Sequence, residues 1–359
     1  MERFKSPELD VPAPRAFRRS LPTSLRQPDN SLSQTRLLLF TKKLQAMTDR
    51  LMNDRLLSHP LAIFLLLTPF GLLGIGLLGA GPAAAQPTWT QGTWTEATSG
   101  RPQVSLDWTK PSFDGDTEST SLLTSRLVLS GQYPIGETTR LVADLPISRF
   151  GIDDEGAGRA DGVSSTKIGN PYLGAYARLS GGWAVGGGAR LPLTSAPEDP
   201  DTGEEFRQNA ADVLALATGS LADMSRVEAF GAETFTARGY GEYTLRSAGG
   251  LAARLRSGLS LLVPTEDTDL RENVVLLDYG GRAWYDGNRF RVGLGIGGRT
   301  NLNADETETF NERSIYFFDS AVQAQFGQVR PGLTLRVPLG GEPSELLDFA
   351  AGINVTVAL

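Results

Sequence analysis

The sequence predicts an all-β protein: a membrane-spanning antiparallel up-and-down β-barrel of about 12 strands, with a short helix in the longest external loop. Three observations predict this fold. Apolar and polar residues alternate along about a dozen segments, each long enough for a tilted strand to cross the hydrocarbon of a bilayer. Short and long connections between these segments follow one another in turn. The printed chain also ends inside such a segment.

The C-terminal segment 349–359 carries an apolar residue at every second position counted back from Leu359. Strand side chains alternate between the faces of a sheet, so this segment has one apolar and one polar face. Closure into a barrel removes the open edge of such a strand, and a membrane requires that closure. The segment resembles the terminal strand that the barrel assembly machinery recognises, although Leu359 stands where an aromatic residue is usual.

The other predicted strands follow the same alternation. Their apolar, outward-facing stripes lie within 104–108, 123–133, 141–147, 173–179, 183–193, 235–245, 251–263, 275–285, 290–296, 316–326 and 329–339. The short links between them are 134–137, 180–182, 247–250, 286–288 and 327–328. The longer links are about 110–120, 149–166, 195–232, 264–272, 301–313 and 340–347. Outer-membrane barrels have short periplasmic turns and longer external loops, so the short links predict the periplasmic end.

Aromatic residues gather near these short links. They are Tyr133, Trp183, Tyr285, Phe290 and Phe326. Aromatic side chains with a polar atom or a polarisable ring favour the boundary between lipid and water. The sequence therefore predicts an aromatic girdle at the periplasmic interface.

The face opposite each apolar stripe carries charged residues, mostly arginine. Arg or Lys facing lipid near the bilayer midplane costs about 2–4 kcal/mol, so these side chains are predicted to point into the barrel. The predicted lumen-lining residues are Arg126, Arg140, Arg178, Arg190, Arg238, Glu242, Arg254, Arg256, Asp278, Arg282, Arg291, Asp319 and Arg336. Asp144 and Arg330 share this facing. Two interpretations remain open: a hydrated pore lining, or an ion-pair network inside a closed barrel.

The longest loop contains a predicted helix over 207–226. Helical periodicity places four apolar residues on one side of it. These are Val213, Ala217, Leu221 and Met224. The sequence leaves three positions open for this helix: a constriction inside the lumen, a lid over the mouth, or a contact with the outer rim.

The N-terminal part predicts export. Residues 61–81 are almost wholly apolar, follow Arg50 and Arg55, and precede the small residues 83–85. This order of basic, apolar and small-residue regions is typical of a secretory signal peptide. A retained membrane helix is the alternative. The predicted location is the outer membrane of a Gram-negative bacterium.

The predicted organisation therefore has four parts. They are an N-terminal extension at 1–57, which is either disordered or an over-extended gene start, a signal peptide at 58–85, a short periplasmic segment at 86–102 and the barrel at 103–359.

Composition excludes several kinds of site. The chain has no cysteine, and its one histidine, His59, lies in the predicted signal peptide. The exported part therefore lacks His-based catalytic triads, His or Cys metal sites and disulfides. It also holds 23 basic and 35 acidic residues, a net charge of −12, which disfavours a nucleic-acid partner. We expect no cofactor, no metal site and no enzymatic activity.

Three further motifs have simple interpretations. Acidic clusters at 153–155, 198–205 and 266–269 match no calcium-loop spacing, so they are interpreted as solvated loop charge rather than a metal site. The glycines of 293–298 satisfy G-x-G-x-x-G, but they lie in an alternating strand and do not open a helix, so they do not predict nucleotide binding. The glycines of 186–188 are predicted to make space for a bulky neighbour inside the barrel.

Several motifs carry a family resemblance. They are Leu145-Pro146, the run Lys167-Ile168-Gly169-Asn170-Pro171-Tyr172-Leu173-Gly174-Ala175-Tyr176-Ala177-Arg178-Leu179, Ala189-Arg190-Leu191-Pro192-Leu193 and Leu262-Val263-Pro264-Thr265-Glu266-Asp267. Their succession over about 120–270 resembles the outer-membrane transporter family associated with phenol meta-pathway degradation. Asn170-Pro171 and the inserted stretch 195–232 depart from the family pattern. The resemblance implies a diffusion channel for small molecules, with apolar or aromatic solutes as the suggested class.

The leading functional hypothesis is thus a passive or substrate-selective outer-membrane channel. The alternatives are a closed structural or adhesive barrel whose external loops carry recognition and, third, an outer-membrane enzyme. The expected partners are outer-membrane lipid and lipopolysaccharide, the barrel assembly machinery through the C-terminal strand, and a small-molecule solute. No nucleic acid is expected.

Overall fold

The structure is a computed structural model that describes residues 101–113, 124–151, 164–196, 204–266, 272–304 and 309–359. The predicted extension and signal peptide, and all but the last two residues of the predicted periplasmic segment, lie outside the described residues. Most of each predicted acidic cluster does so as well.

Within these ranges, thirteen strands form one antiparallel sheet. They are β1 (Gln103–Phe113), β2 (Ser125–Pro134), β3 (Thr139–Gly151), β4 (Ser164–Ile168), β5 (Tyr172–Arg178), β6 (Trp183–Arg190), β7 (Thr234–Arg246), β8 (Leu251–Pro264), β9 (Val274–Asp286), β10 (Phe290–Asn301), β11 (Ser314–Ala324), β12 (Val329–Gly340) and β13 (Leu347–Ala358). β4 and β5 pair with successive parts of β3 and together occupy one position, so the sheet is a 12-strand barrel. The pairing of β1 with β13 and of β2 with β3 closes it.

The C-terminal strand closes the barrel, as its alternation predicts. β13 pairs with β1 from Gln103↔Ala358 to Phe113↔Leu347, and with β12 from Val329↔Val357 to Arg336↔Ala350. Its apolar residues Phe349 and Ile353 are exposed on the outer surface, whereas Asn354 and Thr356 are buried inside. The terminal segment therefore has no free edge.

Burial alternates along every long strand with the predicted facing. In β8, Leu251, Leu255 and Leu261 are exposed while Arg254 and Arg256 are buried. A closed cylinder has only an outside and an inside, so the exposed stripe is the outer surface and the buried stripe faces the axis. The outer surface is consequently a belt of Leu, Val, Ile and aromatic side chains.

Short and long connections alternate around the barrel, as predicted. Aromatic side chains lie on the outer surface beside the short turns. Tyr285 packs against Phe290 with 5.9 Å between ring centroids, and Trp183 packs against Tyr243 with 4.7 Å. Phe326 is 68% exposed. The predicted aromatic residues therefore lie on the outer surface beside the short turns, and the periplasmic position of this girdle remains a prediction.

One predicted loop is wrong in part, because the region 149–166 contains strand at both ends. β3 continues to Gly151, and β4 begins at Ser164. The break between β4 and β5 falls at residues 169–171, where Pro171 has no amide hydrogen to donate to the ladder. The side chain and backbone of Asn170 instead bond to the segment inside the barrel, as described below.

The glycine motifs provide space for interior side chains, as predicted. A Cβ on Gly186 would lie 2.3 Å from Cζ of Tyr240, and one on Gly188 would lie 2.7 Å from Cζ of Tyr172. In the strand with the G-x-G-x-x-G spacing, a Cβ on Gly295 would lie 2.2 Å from Oδ1 of Asp319. These glycines therefore leave room for large inward-facing side chains of the neighbouring strand to lie over them.

One long helix follows β6. α1 spans Glu204–Ala222, and a 3-10 segment follows at Met224–Phe230. The predicted helix 207–226 is therefore displaced toward the N-terminus. Among the described residues, no helix has the length and apolarity needed to cross a membrane.

Candidate functional site: a plug inside the barrel

The segment Glu204–Phe230, here called the plug, lies inside the barrel. α1 contacts β1, β2, β3 and β4, and the 3-10 segment contacts β10 and β11. Charged residues of the plug also reach inward-facing arginines of β2, β6, β7, β10 and β12. Only a segment within the cylinder can contact interior side chains from strands on all sides of it. Of the three positions that the sequence left open for this helix, it occupies the one inside the lumen.

Asp223 fixes the turn between α1 and the 3-10 segment. Its Oδ2 lies 2.7 Å from Nη1 of Arg126 on β2, and its Oδ1 lies 2.8 Å from Nη1 of Arg336 on β12. Arg226 and Ser225 of the plug bond to the same carboxylate, with 2.5 Å from Ser225 Oγ to Oδ1. The Asp223 side chain is 2% exposed. Each carboxylate oxygen is thus bound by a different strand of the wall.

Glu228 is the second charged anchor of the plug. It pairs with Arg299 on β10, and its Oε1 lies 3.6 Å from Nε of Arg190 and 3.9 Å from Nη1 of Arg238. Arg299 also pairs with Asp278, at 2.5 Å between Nε and Oδ1. The Glu228 side chain is 1% exposed. This carboxylate therefore joins three strands that do not all neighbour one another.

The arginines keep both plug carboxylates ionised. Burial raises the pKa of Glu228, but the attraction of the three arginines and the hydrogen bond from Arg299 outweigh it and lower the pKa to about 2. Burial likewise opposes ionisation of Asp223, and its arginine partners lower its pKa well below the usual range. At neutral pH both groups are therefore fully charged inside the barrel.

Asn170, at the break between β4 and β5, holds the end of the plug. Its Nδ2 donates to the carbonyl oxygens of Gly231 at 2.6 Å and Glu228 at 3.3 Å, and its backbone nitrogen donates to that of Ala229 at 2.6 Å. Its Oδ1 accepts from the backbone of Thr194 at 3.0 Å. Asn170 is 0% exposed. The interruption of the strand therefore provides the backbone and side-chain groups that bind the plug.

Further contacts bind the two halves of the plug separately. Asp212 of α1 lies 2.5 Å from Nζ of Lys167 and accepts a hydrogen bond from Ser165, both on β4. Met224 is fully buried in an apolar cluster on β11 and β13. The other members of this cluster are Ile315, Phe317, Leu347 and Ala350, with Phe113 and Val227 packed against it.

The interior beside the short turns is rich in arginine. Glu242 lies 3.6 Å from both Arg254 and Arg256, and Asp319 pairs with Arg282. Arg254 and Arg282 are direct cross-strand neighbours, an arrangement of like charges that costs free energy unless anions balance it. Within the part of the chain that the structure describes, Arg178 pairs with no carboxylate. The wall in this region consequently carries an excess of positive charge.

Comparisons with known proteins give matches among solved structures only. No family model matches the sequence, and no curated protein matches it. An outer membrane channel from Pseudomonas putida F1 is 11% identical with a TM-score of 0.49, and the match covers 76% of this chain and 100% of that chain. The NanC porin is 8% identical with a TM-score of 0.42, covering 71% and 100%. LpxR from Salmonella typhimurium is 10% identical with a TM-score of 0.41, covering 72% and 100%.

These similar structures include channels and porins of the outer membrane. With identities near 10% and TM-scores below 0.5, they decide neither the solute nor the activity of this chain. Membership in the phenol meta-pathway transporter family remains a prediction.

The structure places the predicted lumen residues as follows. Those buried on the inward face are Arg126, Arg140, Arg190, Glu242, Arg254, Arg256, Asp278, Arg282, Arg291 and Asp319, while Arg178, Arg238 and Arg336 are partly buried there. Arg126, Arg190, Arg238 and Arg336 contact the plug directly. Arg291 lies at the short-turn end, paired with Asp286.

The predicted face of the loop helix needs correction. Leu221 and Met224 are buried, but Val213 and Ala217 are partly exposed, and Met224 lies beyond the end of α1. The buried face of α1 instead contains Ala211, Leu214, Ala215, Thr218 and Leu221.

Sequence reasoning missed several residues of this site. They are Asp107, Asn170, Asp223, Arg226, Glu228 and Arg299. Arg299 has the inward facing of β10, and extension of the alternation beyond Ile296 would have found it. The plug carboxylates follow no strand alternation and gave no signal of their own. The described residues contain no cluster of three or more acidic side chains arranged to hold a metal ion.

Proposed function

We propose that this chain is an outer-membrane channel through which small molecules diffuse, passively or with selectivity, and that the plug closes it. The barrel has the two surfaces that such a channel needs. Its outer belt is apolar, and its inner wall carries arginine and carboxylate groups. The plug occupies the space along which a solute would pass.

The observation that carries the proposal is the way in which the plug is held. Ion pairs at Asp223 and Glu228 and hydrogen bonds at Asn170 anchor the plug to the wall through polar groups. The attraction within a buried ion pair is largely offset by the desolvation of both charges, so its net contribution is small. Water and other ions can replace such partners, which makes the plug removable without loss of the barrel.

The partners follow from the same surfaces. Lipid and lipopolysaccharide would cover the outer belt and its external end, and the barrel assembly machinery would act on β13. The polar wall favours solutes that carry at least one polar or charged group. A preference for apolar or aromatic solutes follows from the family resemblance alone.

A second candidate is a closed barrel with a structural or adhesive role. The burial of the interior favours it, because Arg126 and Arg190 are each only 2% exposed and the plug adds its own side chains to the lumen. In that case the ion pairs are a permanent part of the core, and the external loops carry recognition.

Conductance separates the two candidates. We would refold the barrel into planar lipid bilayers and compare the wild type with a variant carrying both Asp223→Asn and Glu228→Gln, which keep the side-chain shapes. The channel predicts larger or longer openings in the variant. Asp286→Asn is the matched control, since this carboxylate pairs with Arg246 and Arg291 away from the plug. Circular dichroism and heat-dependent gel mobility would show that each barrel has folded. Folded barrels that stay closed to ions and small solutes, variant included, would refute the channel.

A further inference from the structure

The contacts of Asp223 and Met224 describe a binding site in the barrel wall. Arg126 and Arg336 come from different strands and bind the two oxygens of one carboxylate, at 2.7 Å and 2.8 Å. Beside this carboxylate, the Met224 side chain packs on Ile315, Phe317 and Leu347. The wall therefore offers two arginines and an apolar surface side by side.

The arginines depend on the plug for much of this neutralisation. Among the described residues, Asp223 is the carboxylate that pairs with Arg336. Arg126 has a second, longer contact with Asp107, at 3.8 Å. When the plug leaves the lumen, Arg336 loses this partner, while Asp319, its cross-strand neighbour, remains paired with Arg282. Arg126 keeps only its longer contact with Asp107. In the open lumen the two arginines face water with their charge no longer neutralised by Asp223, so they attract another anion through charge-assisted hydrogen bonds.

The apolar side of the site behaves in the same way. Phe317 is 2% exposed and Leu347 is 1% exposed in the closed barrel. Departure of Met224 uncovers both beside the two arginines. The guanidinium of Arg336 also lies 5.2 Å from the centroid of the Phe317 ring, so the cationic and apolar parts of the site adjoin.

We propose that Arg126, Arg336 and the apolar cluster around Phe317 form a binding site for an organic carboxylate with an apolar body. Asp223 and Met224 occupy this site in the closed barrel, and the solute occupies it in the open barrel. The inference rests on the proposed function, since it requires that the plug can leave. It adds the solute class: small organic acids, distinguished from neutral molecules of the same shape and from carboxylates without an apolar body.

The arrangement has a consequence for gating. A solute carboxylate and the Asp223 carboxylate compete for the same two arginines, so binding of the solute favours the open barrel by mass action. The plug then acts as a built-in competitor, and the channel opens in the presence of the molecules it carries.

Three probes test this site: phenylacetate, its uncharged amide phenylacetamide, and acetate. The protein is the refolded barrel with Asp223→Asn, in which the competing carboxylate is absent. We expect phenylacetate to reduce the ion current saturably and to raise the unfolding temperature. Phenylacetamide should bind about tenfold more weakly, the loss that corresponds to one charged hydrogen bond. Acetate should also bind more weakly, because it covers no apolar surface.

Second substitutions in this background locate the site. Arg336→Gln, which leaves Arg126 in place, should reduce the preference for phenylacetate over phenylacetamide severalfold. Phe317→Ala should weaken the binding of phenylacetate and leave that of acetate unchanged. Arg246→Gln, at the short-turn end, is the matched loss of an arginine and should change neither. Equal binding of acid and amide, or a preference that Arg336→Gln leaves unchanged, overturns the proposal.

The two readouts separate this proposal from the proposed function. If Asp223→Asn leaves the barrel closed to ions and phenylacetate still raises its unfolding temperature through Arg336, the plug releases this site without opening a path. The site then exists and the channel function is wrong. If the barrel conducts but shows no preference for the acid, the channel stands and the carboxylate site is wrong.

Discussion

Arg126 on β2 and Asp223 in the plug form an ion pair with 2.7 Å between Nη1 and Oδ2, and each side chain is 2% exposed. The pair joins the barrel wall to a segment that could otherwise have lain outside it. Loss of one partner leaves the other charge buried, which is more costly than loss of both.

We predict that Asp223→Asn loosens the plug without unfolding the barrel. The substitution removes the charge that neutralises Arg126 and Arg336, so opening of the plug becomes easier by up to about 3–5 kcal/mol. Hydrogen exchange should show faster exchange of plug amides and unchanged exchange in β8. The double variant with Arg126→Gln should lose less plug stability than the sum of the losses in the two single variants. Additive losses would mean that the two groups do not interact.

Asn170→Asp should loosen the C-terminal end of the plug. Aspartate has almost the same shape, but it lacks the Nδ2 amide that donates to the carbonyl oxygens of Gly231 and Glu228. Its negative charge would instead lie against these oxygens. The expected loss of plug stability is about 1–3 kcal/mol, measured as faster hydrogen exchange of the amides near residue 230.

The control is Asn303→Asp, where Nδ2 donates to the carbonyl oxygen of Asn273 at 2.6 Å in a loop away from the plug. It should affect only that loop. Faster plug exchange in both variants would contradict the role assigned to Asn170.

Acid should release the plug only at low pH. The folded pKa of Glu228, about 2, lies below its ordinary value of 4.5, so its contribution to plug stability is complete above pH 4.5 and declines as the pH falls toward 2. Plug exchange or channel opening should therefore be equal at pH 7 and pH 5 and should rise below 4.5. Glu228→Gln should remove the contribution of Glu228 to this acid response and leave that of Asp223. Opening that begins between pH 5 and 7 would require another titrating group.

Gly186→Ala should destabilise the barrel, because the new Cβ would lie 2.3 Å from Cζ of the Tyr240 ring inside the wall. Overpacking of this kind costs about 1–3 kcal/mol. Gly239→Ala, on the neighbouring strand, has no atom within 4 Å of its added Cβ and should be neutral or slightly stabilising. Reversible unfolding in urea measures both, and equal effects would show that Tyr240 does not occupy the space left by Gly186.

Leu255→Arg tests the outer belt. Leu255 is 64% exposed on β8, between the buried residues Arg254 and Arg256. If lipid covers this position, arginine costs about 2–4 kcal/mol near the midplane and about 0–1 kcal/mol near the interface. Gly136 lies in a short turn, where no atom lies within 4 Å of an added Cβ, so Gly136→Arg should cost much less. Equal costs for the two substitutions in lipid vesicles would place Leu255 outside the hydrocarbon.

The strands were predictable because facing is a local property. Leu255 and Arg254 occupy opposite faces of β8 through backbone geometry alone, and a single alternation therefore separates outer belt from inner wall. The same reasoning anticipated the closing role of β13 and the space that Gly186 provides. It failed at Ser164–Ile168, where a short strand precedes a break. Asn170 in this break binds the plug, a contact that the alternation does not indicate.

The plug contacts were not predictable in this way. Asp223 and Arg336 are 113 residues apart in the chain, and no periodicity links a loop carboxylate to a strand arginine. The sequence by itself determined the closed barrel, its apolar outside and its arginine-rich inside, because alternation along a strand fixes which side chains share a face. Only the tertiary structure decided that the long loop enters the lumen and which arginines receive Asp223 and Glu228, because those partners meet across the cylinder rather than along the chain.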